Sequence, residues 1–92
     1  MKVYISGKVT GIKHPEWKFA KTEKYLRSLG HEVLNPVELC RNDLSWKEAM
    51  IICLEYLKQC DALYVQPDWE KSRGAKIEIA YAEKYGLEII YE

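Results

Sequence analysis

No apolar run in the chain approaches the ~18 to 20 residues that a membrane-spanning helix requires. The opening MKVYISGKVTG has one early lysine and only three apolar residues in a row before Ser6, too little for a secretory leader. The expectation is a cytoplasmic protein with no membrane partner. Cysteine is scarce and odd in number: Cys40, Cys53 and Cys60 form neither a CxxC pair nor a His-paired spacing. That argues against a disulfide framework or a zinc site and predicts reduced thiols. Net charge is missing too, because 14 basic and 14 acidic side chains cancel. A polymer of nucleic acid is therefore not the expected partner. Low-complexity segments and internal repeats are likewise absent.

What remains is the balance of a soluble domain, 48% hydrophobic and 30% charged in 92 residues, enough for one core spanning residues 1–92. Charge is unevenly spread: residues 1–31 hold seven basic and two acidic side chains, and residues 32–70 hold three and eight. The basic segment either solvates a helix or steers an anionic small ligand.

Residues 2–5 (KVYI) are β-branched and aromatic and stop at the glycines of SGKVTG, as a buried strand entering a turn does. His14-Pro15 opens a helix to Leu29, with Phe19, Leu26 and Leu29 on one stripe and Gly30 behind it. HEVLNP reads as a second strand ended by Pro36, followed by a loop through Asp43. Ser45 and Glu48 form a capping box before a helix ending near Gln59. Residues 61–66 make a third strand, 67–74 a loop, 75–85 a helix with Gly86 behind it, and LEIIY a last strand. The order βαβαβαβ predicts a three-layer αβα sandwich around a four-stranded, parallel, doubly wound sheet.

In such sheets ligands sit beyond the carboxyl ends of the strands, so the loops at 6–11 and 67–74 should face one crevice. The first offers Gly7 and Gly11, the cation Lys8 and the hydroxyls of Ser6 and Thr10, whose turned backbone N–H groups could cradle an anion or simply shape a turn. The second leads through Ser72 and Gly74 into a helix start, where Ser72 is either a plain N-cap or a phosphate contact. Asp68 could accept a sugar hydroxyl or cap the turn. Trp69 could stack on a base or cover the core edge. Trp17 and Trp46 read as packing residues, Asp61 as structural, and Cys53 as a small core residue. Neither His14 nor His31 has partner spacing, so no metal or triad is expected.

Glu78 is the candidate that stands out. It lies between Ile77 and Ile79 and shares a helix face with Ala75 and Ala82. A carboxylate among small apolar neighbours is desolvated, which raises its pKa and leaves a nucleophile or a usable acid. Glu83, beside Lys84, has the solvated setting that Glu78 lacks.

Two segments, VYISGKVTG and CDALYVQPDWEKSRGAKIEIAYA, together resemble the nucleoside 2-deoxyribosyltransferase-like superfamily. They are most similar to its small phage and bacterial branch, whose members start YISGPMTG and carry W-x-x-S-x-G-A-x-x-E, and which is related to 2′-deoxynucleoside 5′-monophosphate N-glycosidases. The resemblance implies oligomers with shared sites, no cofactor or metal, and cleavage or transfer at an N-glycosidic bond. It places Glu78 on the family nucleophile that attacks C1′, Tyr4 on the tyrosine that orients it, and Lys8 and Thr10 on positions holding a 5′-phosphate. Ser72 stands where monophosphate hydrolases carry serine and nucleoside enzymes carry aspartate; a serine does not repel a phosphate dianion. Two positions depart from the pattern: Lys8 replaces a proline, and Cys53 replaces the aspartate that manages the proton on the leaving base. Asp68 is then the only local candidate for another acid.

These readings converge on N-glycosidic cleavage or deoxyribosyl transfer on a nucleoside 5′-monophosphate through a Glu78 intermediate. The alternatives are a non-catalytic nucleotide sensor or sponge, and an oligomerisation domain with a relict site. The helix at 45–59 is apolar nearly all round, which predicts a homodimer or higher homo-oligomer through it.

Overall fold

Four short segments rich in β-branched and aromatic residues pair as a parallel sheet: β1 (Lys2–Ser6), β2 (Glu32–Leu34), β3 (Ala62–Val65) and β4 (Glu88–Tyr91). The computed structural model describes residues 1–40 and 43–92. The part of the predicted loop that falls on residues 41 and 42 lies outside them. Spatial order is β2-β1-β3-β4, with Ser6 level with Val65 and Val3 with Val33. The helices α1 (Pro15–Ser28), α2 (Pro36–Leu39), α3 (Trp46–Leu57) and α4 (Arg73–Lys84) join them.

The period-two alternation of the strands divides the core. Val3 and Ile5 of β1, with Ala62 and Tyr64 of β3, pack against Phe19 and Leu26 of α1. Tyr4, Leu63 and Val65 face the other way, toward Cys53 and Leu57 of α3 and Ile79 and Ala82 of α4. Helices thus cover both faces, which is the predicted doubly wound, flavodoxin-like αβα sandwich. The winding reverses between β1 and β3, so the segments leaving Ser6 and Val65 splay apart and open a crevice there. No helix among the described residues is long and apolar enough to cross a membrane.

Local signals act where the sequence carries them. Ser45 and Glu48 form the reciprocal capping box of α3, and Gly30 and Gly86 take positive φ just past α1 and α4. Asp61 is structural, as predicted: its carboxylate accepts the backbone N–H of Lys2 at 2.9 Å. Two helical turns depart from the predicted loops. Asn35 caps α2 by accepting from Val37 N at 3.0 Å, with Pro36 in the first helical position, so the Asn-Pro pair starts a helix as well as ending a strand. A 3-10 turn covers Trp69–Lys71, and α4 begins at Arg73, two residues earlier than predicted, because Ser72 caps it.

Gly7 is required by space. A Cβ on it would lie 2.0 Å from Oε1 of Gln66, a fully buried side chain whose amide donates to Thr22 Oγ1 at 2.9 Å. Gly7→Ala is expected to cost about 1 to 3 kcal/mol of stability, the usual penalty for overpacking a tight site. A urea midpoint unchanged from the parent protein would contradict this packing.

Candidate active site

Tyr4 and Ser6 are two residues apart on β1 and so point to the same side of the sheet, toward α4. On α4 the inward stripe is Ala75, Glu78, Ile79 and Ala82, and Glu78 therefore occupies a core position, 5% exposed. The carboxylate is satisfied from β1. Ser6 Oγ donates to Oε1 at 2.7 Å, and the Tyr4 hydroxyl donates to Oε2 in a short bond. Burial pushes the Glu78 carboxyl up to about 7, and the Tyr4 and Ser6 hydroxyls work against that rise. Tyr4 is held well above its ordinary phenol value, chiefly by burial and then by the Glu78 charge, so it stays protonated and remains a donor.

This pair lies at the buried end of a cavity of about 980 Å³ at the switch point. Its buried lining includes Tyr4, Cys53 and Glu78, with Gly7, Pro36 and Ala75 beside them. Nearer solvent stand Lys8 and Thr10 from the β1 loop, Lys71, Ser72, Arg73 and Gly74 from the start of α4, and Trp46 from α3. The cavity mouth is thus rich in cations and in free helix N–H groups, while its inner end holds one carboxyl of tunable charge.

Several predicted residues have different or additional tasks. Ser72 Oγ accepts from Ala75 N at 3.1 Å, so it is the N-cap of α4 as well as part of the cavity wall. Gly74 lets α4 approach α3: a Cβ there would meet Met50 Sδ at 3.1 Å. Gly11, at φ 83°, shapes the first loop outside the cavity lining.

Asp68 also lies outside the cavity lining, and its oxygens are in use: Oδ1 accepts from Lys8 N at 3.1 Å and Oδ2 pairs with Lys18 Nζ at 2.8 Å. Burial opposes ionisation, but Lys18 and the Lys8 amide together hold Asp68 below its ordinary value. The same ammonium donates to the Lys8 carbonyl at 2.6 Å. Asp68 and Lys18 therefore clamp the two crevice loops together, and an ionised, paired Asp68 is a poor acid.

Trp69 packs against the α3–α4 core with its ring 5.9 Å from that of Tyr91, away from the cavity. Trp46, read from sequence as a packing residue, is the tryptophan that lines the cavity, with the Arg73 guanidinium 4.2 Å from its ring centroid. Cys53 is buried as expected of a core residue, yet it also faces the cavity, and its thiol is pushed up to about 12 mainly by burial.

Sequence reasoning missed five residues here: Ser6 as a partner of Glu78, Lys18, Lys71, Arg73 and Trp46. Only Ser6 carried a usable signal, its i, i+2 relation to Tyr4. Among the described residues no three His, Cys, Asp or Glu side chains gather to hold a metal ion.

A family model described as a domain of unknown function, DUF4406, matches residues 1–91. Among solved structures the chain is similar to a 2-deoxyribosyltransferase from the psychrotolerant bacterium Bacillus psychrosaccharolyticus, with a TM-score of 0.77 at 19% identity, over 99% of this chain and 71% of that one. It is also similar to a 2-desoxiribosyltransferase from Leishmania mexicana, with a TM-score of 0.76 at 17% identity, over 98% of this chain and 62% of that one. At these identities the likeness is one of fold. No curated protein matches the chain.

Proposed function

We propose that this chain, which belongs to the DUF4406 family, a domain of unknown function, cleaves or transfers at the N-glycosidic bond of a nucleoside 5′-monophosphate. The observation that carries the reading is Glu78: a buried carboxyl, held by two hydroxyls, at the inner end of a cavity large enough for a nucleotide. In its ionised form Glu78 attacks C1′ of the sugar, the C1′–N bond breaks, and its electron pair leaves with the base. A glycosyl ester on Glu78 remains. Water or a second base then attacks C1′, and Glu78 departs as the carboxylate. Tyr4 and Ser6 fix the oxygens for attack and accept no proton themselves.

Support for a phosphate-bearing substrate comes from Lys8, Lys71 and Arg73 around the cavity and from the uncapped N–H groups of α4, with Ser72 adding no negative charge. Trp46 offers a face to a base. Chemistry at Glu78 needs the anion, so base release should rise with pH through about 7. Tyr4→Phe removes a bond that lowers the Glu78 pKa, so the rising limb moves to higher pH and release at pH 7 falls about tenfold. A pH–rate profile of kcat/KM checks this; a limb that stays in place would separate Tyr4 from the ionisation of Glu78.

A non-catalytic nucleotide sensor is the second reading. It is favoured by the two nearby candidates for an acid: Cys53 holds its proton to about 12, and Asp68 is ion-paired. A nucleotide that raises the melting temperature without any base release would select it. The exposed apolar side chain Ile51 on α3, 59% accessible, supports an isologous dimer through that helix. Light scattering that finds a monomer at micromolar concentration would remove that part of the proposal.

A further inference from the structure

Cys40 follows the last turn of α2 and Cys53 sits on the inward face of α3, and their sulfurs are 3.1 Å apart. A disulfide needs about 2.05 Å, so a movement of roughly one ångström would bond them. Both side chains line the cavity, and the contact brings together the two elements that flank its mouth. We propose that Cys40 and Cys53 are a reversible dithiol–disulfide site in the cavity wall, with a hydroperoxide as oxidant. The proposal rests on the thiol pair alone and holds whether or not Glu78 is a nucleophile.

The two thiols are unequal, and this sets the order of events. Cys40 is half-exposed and meets the oxidant first. Its thiolate attacks a peroxide oxygen, the O–O bond breaks, and an alcohol or water leaves, with Cys40 oxidised to the sulfenic acid. Cys53 is buried and its thiol holds its proton, which makes it a poor first target but a well-placed second partner. Its sulfur attacks the Cys40 sulfur, the S–O bond breaks, and water departs with the Cys53 proton. In sum, two thiols and one hydroperoxide give a disulfide, an alcohol (or water, from hydrogen peroxide) and water. An external thiol reverses the change.

Cys60 serves as an internal control. It lies about two helical turns further along the chain from Cys53, buried, with its thiol directed to the Tyr56 carbonyl at 3.5 Å. The Cys53 sulfur also neighbours the Tyr4 hydroxyl, the group that donates to Glu78.

The test treats the reduced protein with one equivalent of hydrogen peroxide, then counts free thiols and maps peptides by mass spectrometry. The expected result is loss of two of the three thiols, a Cys40–Cys53 cross-linked peptide within one chain, and full recovery with dithiothreitol. In Cys53→Ser the sulfenic acid should persist on Cys40 and be trapped by dimedone, while Cys40→Ser should form no disulfide. A cross-link through Cys60 or between chains would overturn the proposal. So would Cys40 passing to the sulfinic acid uncross-linked, or all three thiols surviving when free cysteine in the same tube is consumed.

Discussion

Glu78→Gln should make the protein more stable at pH 8 by about 3 kcal/mol while leaving its stability near pH 4.5 almost unchanged. The carboxyl titrates at about 7 in the fold against 4.5 in a solvated chain. Between those values the folded state holds a proton that the unfolded state has lost. Stability from this group is therefore fully present below pH 4.5 and falls as pH rises through 7. At pH 8 the fold carries a buried anion, and the two hydroxyl donors offset only part of its desolvation. Glutamine keeps the shape and both hydrogen-bonding positions, because the Tyr4 and Ser6 hydroxyls can rotate to donate or accept. Urea midpoints of the two proteins at pH 4.5 and 8 check this. Parallel pH dependences would mean that Glu78 is not desolvated in the fold. A stabilising substitution at the proposed nucleophile is the expected mark of a group kept for chemistry at the expense of stability.

Cys53→Asp should speed base release by about 10²- to 10⁴-fold, the usual contribution of a positioned general acid. The side chain faces the same cavity as Glu78, and the leaving base otherwise draws its proton from water: the thiol keeps its own to about 12, and Asp68 is paired with Lys18. A second buried carboxyl beside Glu78 would share one proton with it near neutrality, which is the arrangement an acid and a nucleophile need. The gain should be greatest for bases that leave poorly without protonation. Single-turnover release measured across a series of bases tests this. Equal rates in the two proteins, with binding intact, would favour the sensor over an enzyme short of its acid.

Much of the fold was legible because its signals are local. Gly30 and Gly86 end helices at positive φ, the capping box starts α3, and the alternation of Val3, Tyr4, Ile5 and Ser6 sorts the two faces of the sheet. Glu78 was legible for the same reason, since Ala75 and Ala82 share its stripe. The unread parts depend on pairs distant in sequence or on the direction a short turn takes. Lys18 and Asp68 are fifty residues apart, and nothing near either announces a clamp. Trp69 and Trp46 exchanged expected places because the 3-10 turn at 69–71 sends Trp69 toward Tyr91 while Trp46 opens α3 at the cavity. Asn35-Pro36 reads equally as a strand stop and a helix start, and the proximity of Cys40 to Cys53 follows from the second reading.

The central claim is that Glu78 performs covalent chemistry on a bound nucleotide. The most direct measurement is a calorimetric titration with a panel of deoxyribonucleoside and ribonucleoside 5′-monophosphates, with released base followed by chromatography in the same samples, for the parent protein and Glu78→Ala. The account predicts binding by both proteins, base release by the parent, and loss of release by a factor of at least about 10⁴ in the variant. Release that survives in Glu78→Ala would contradict it.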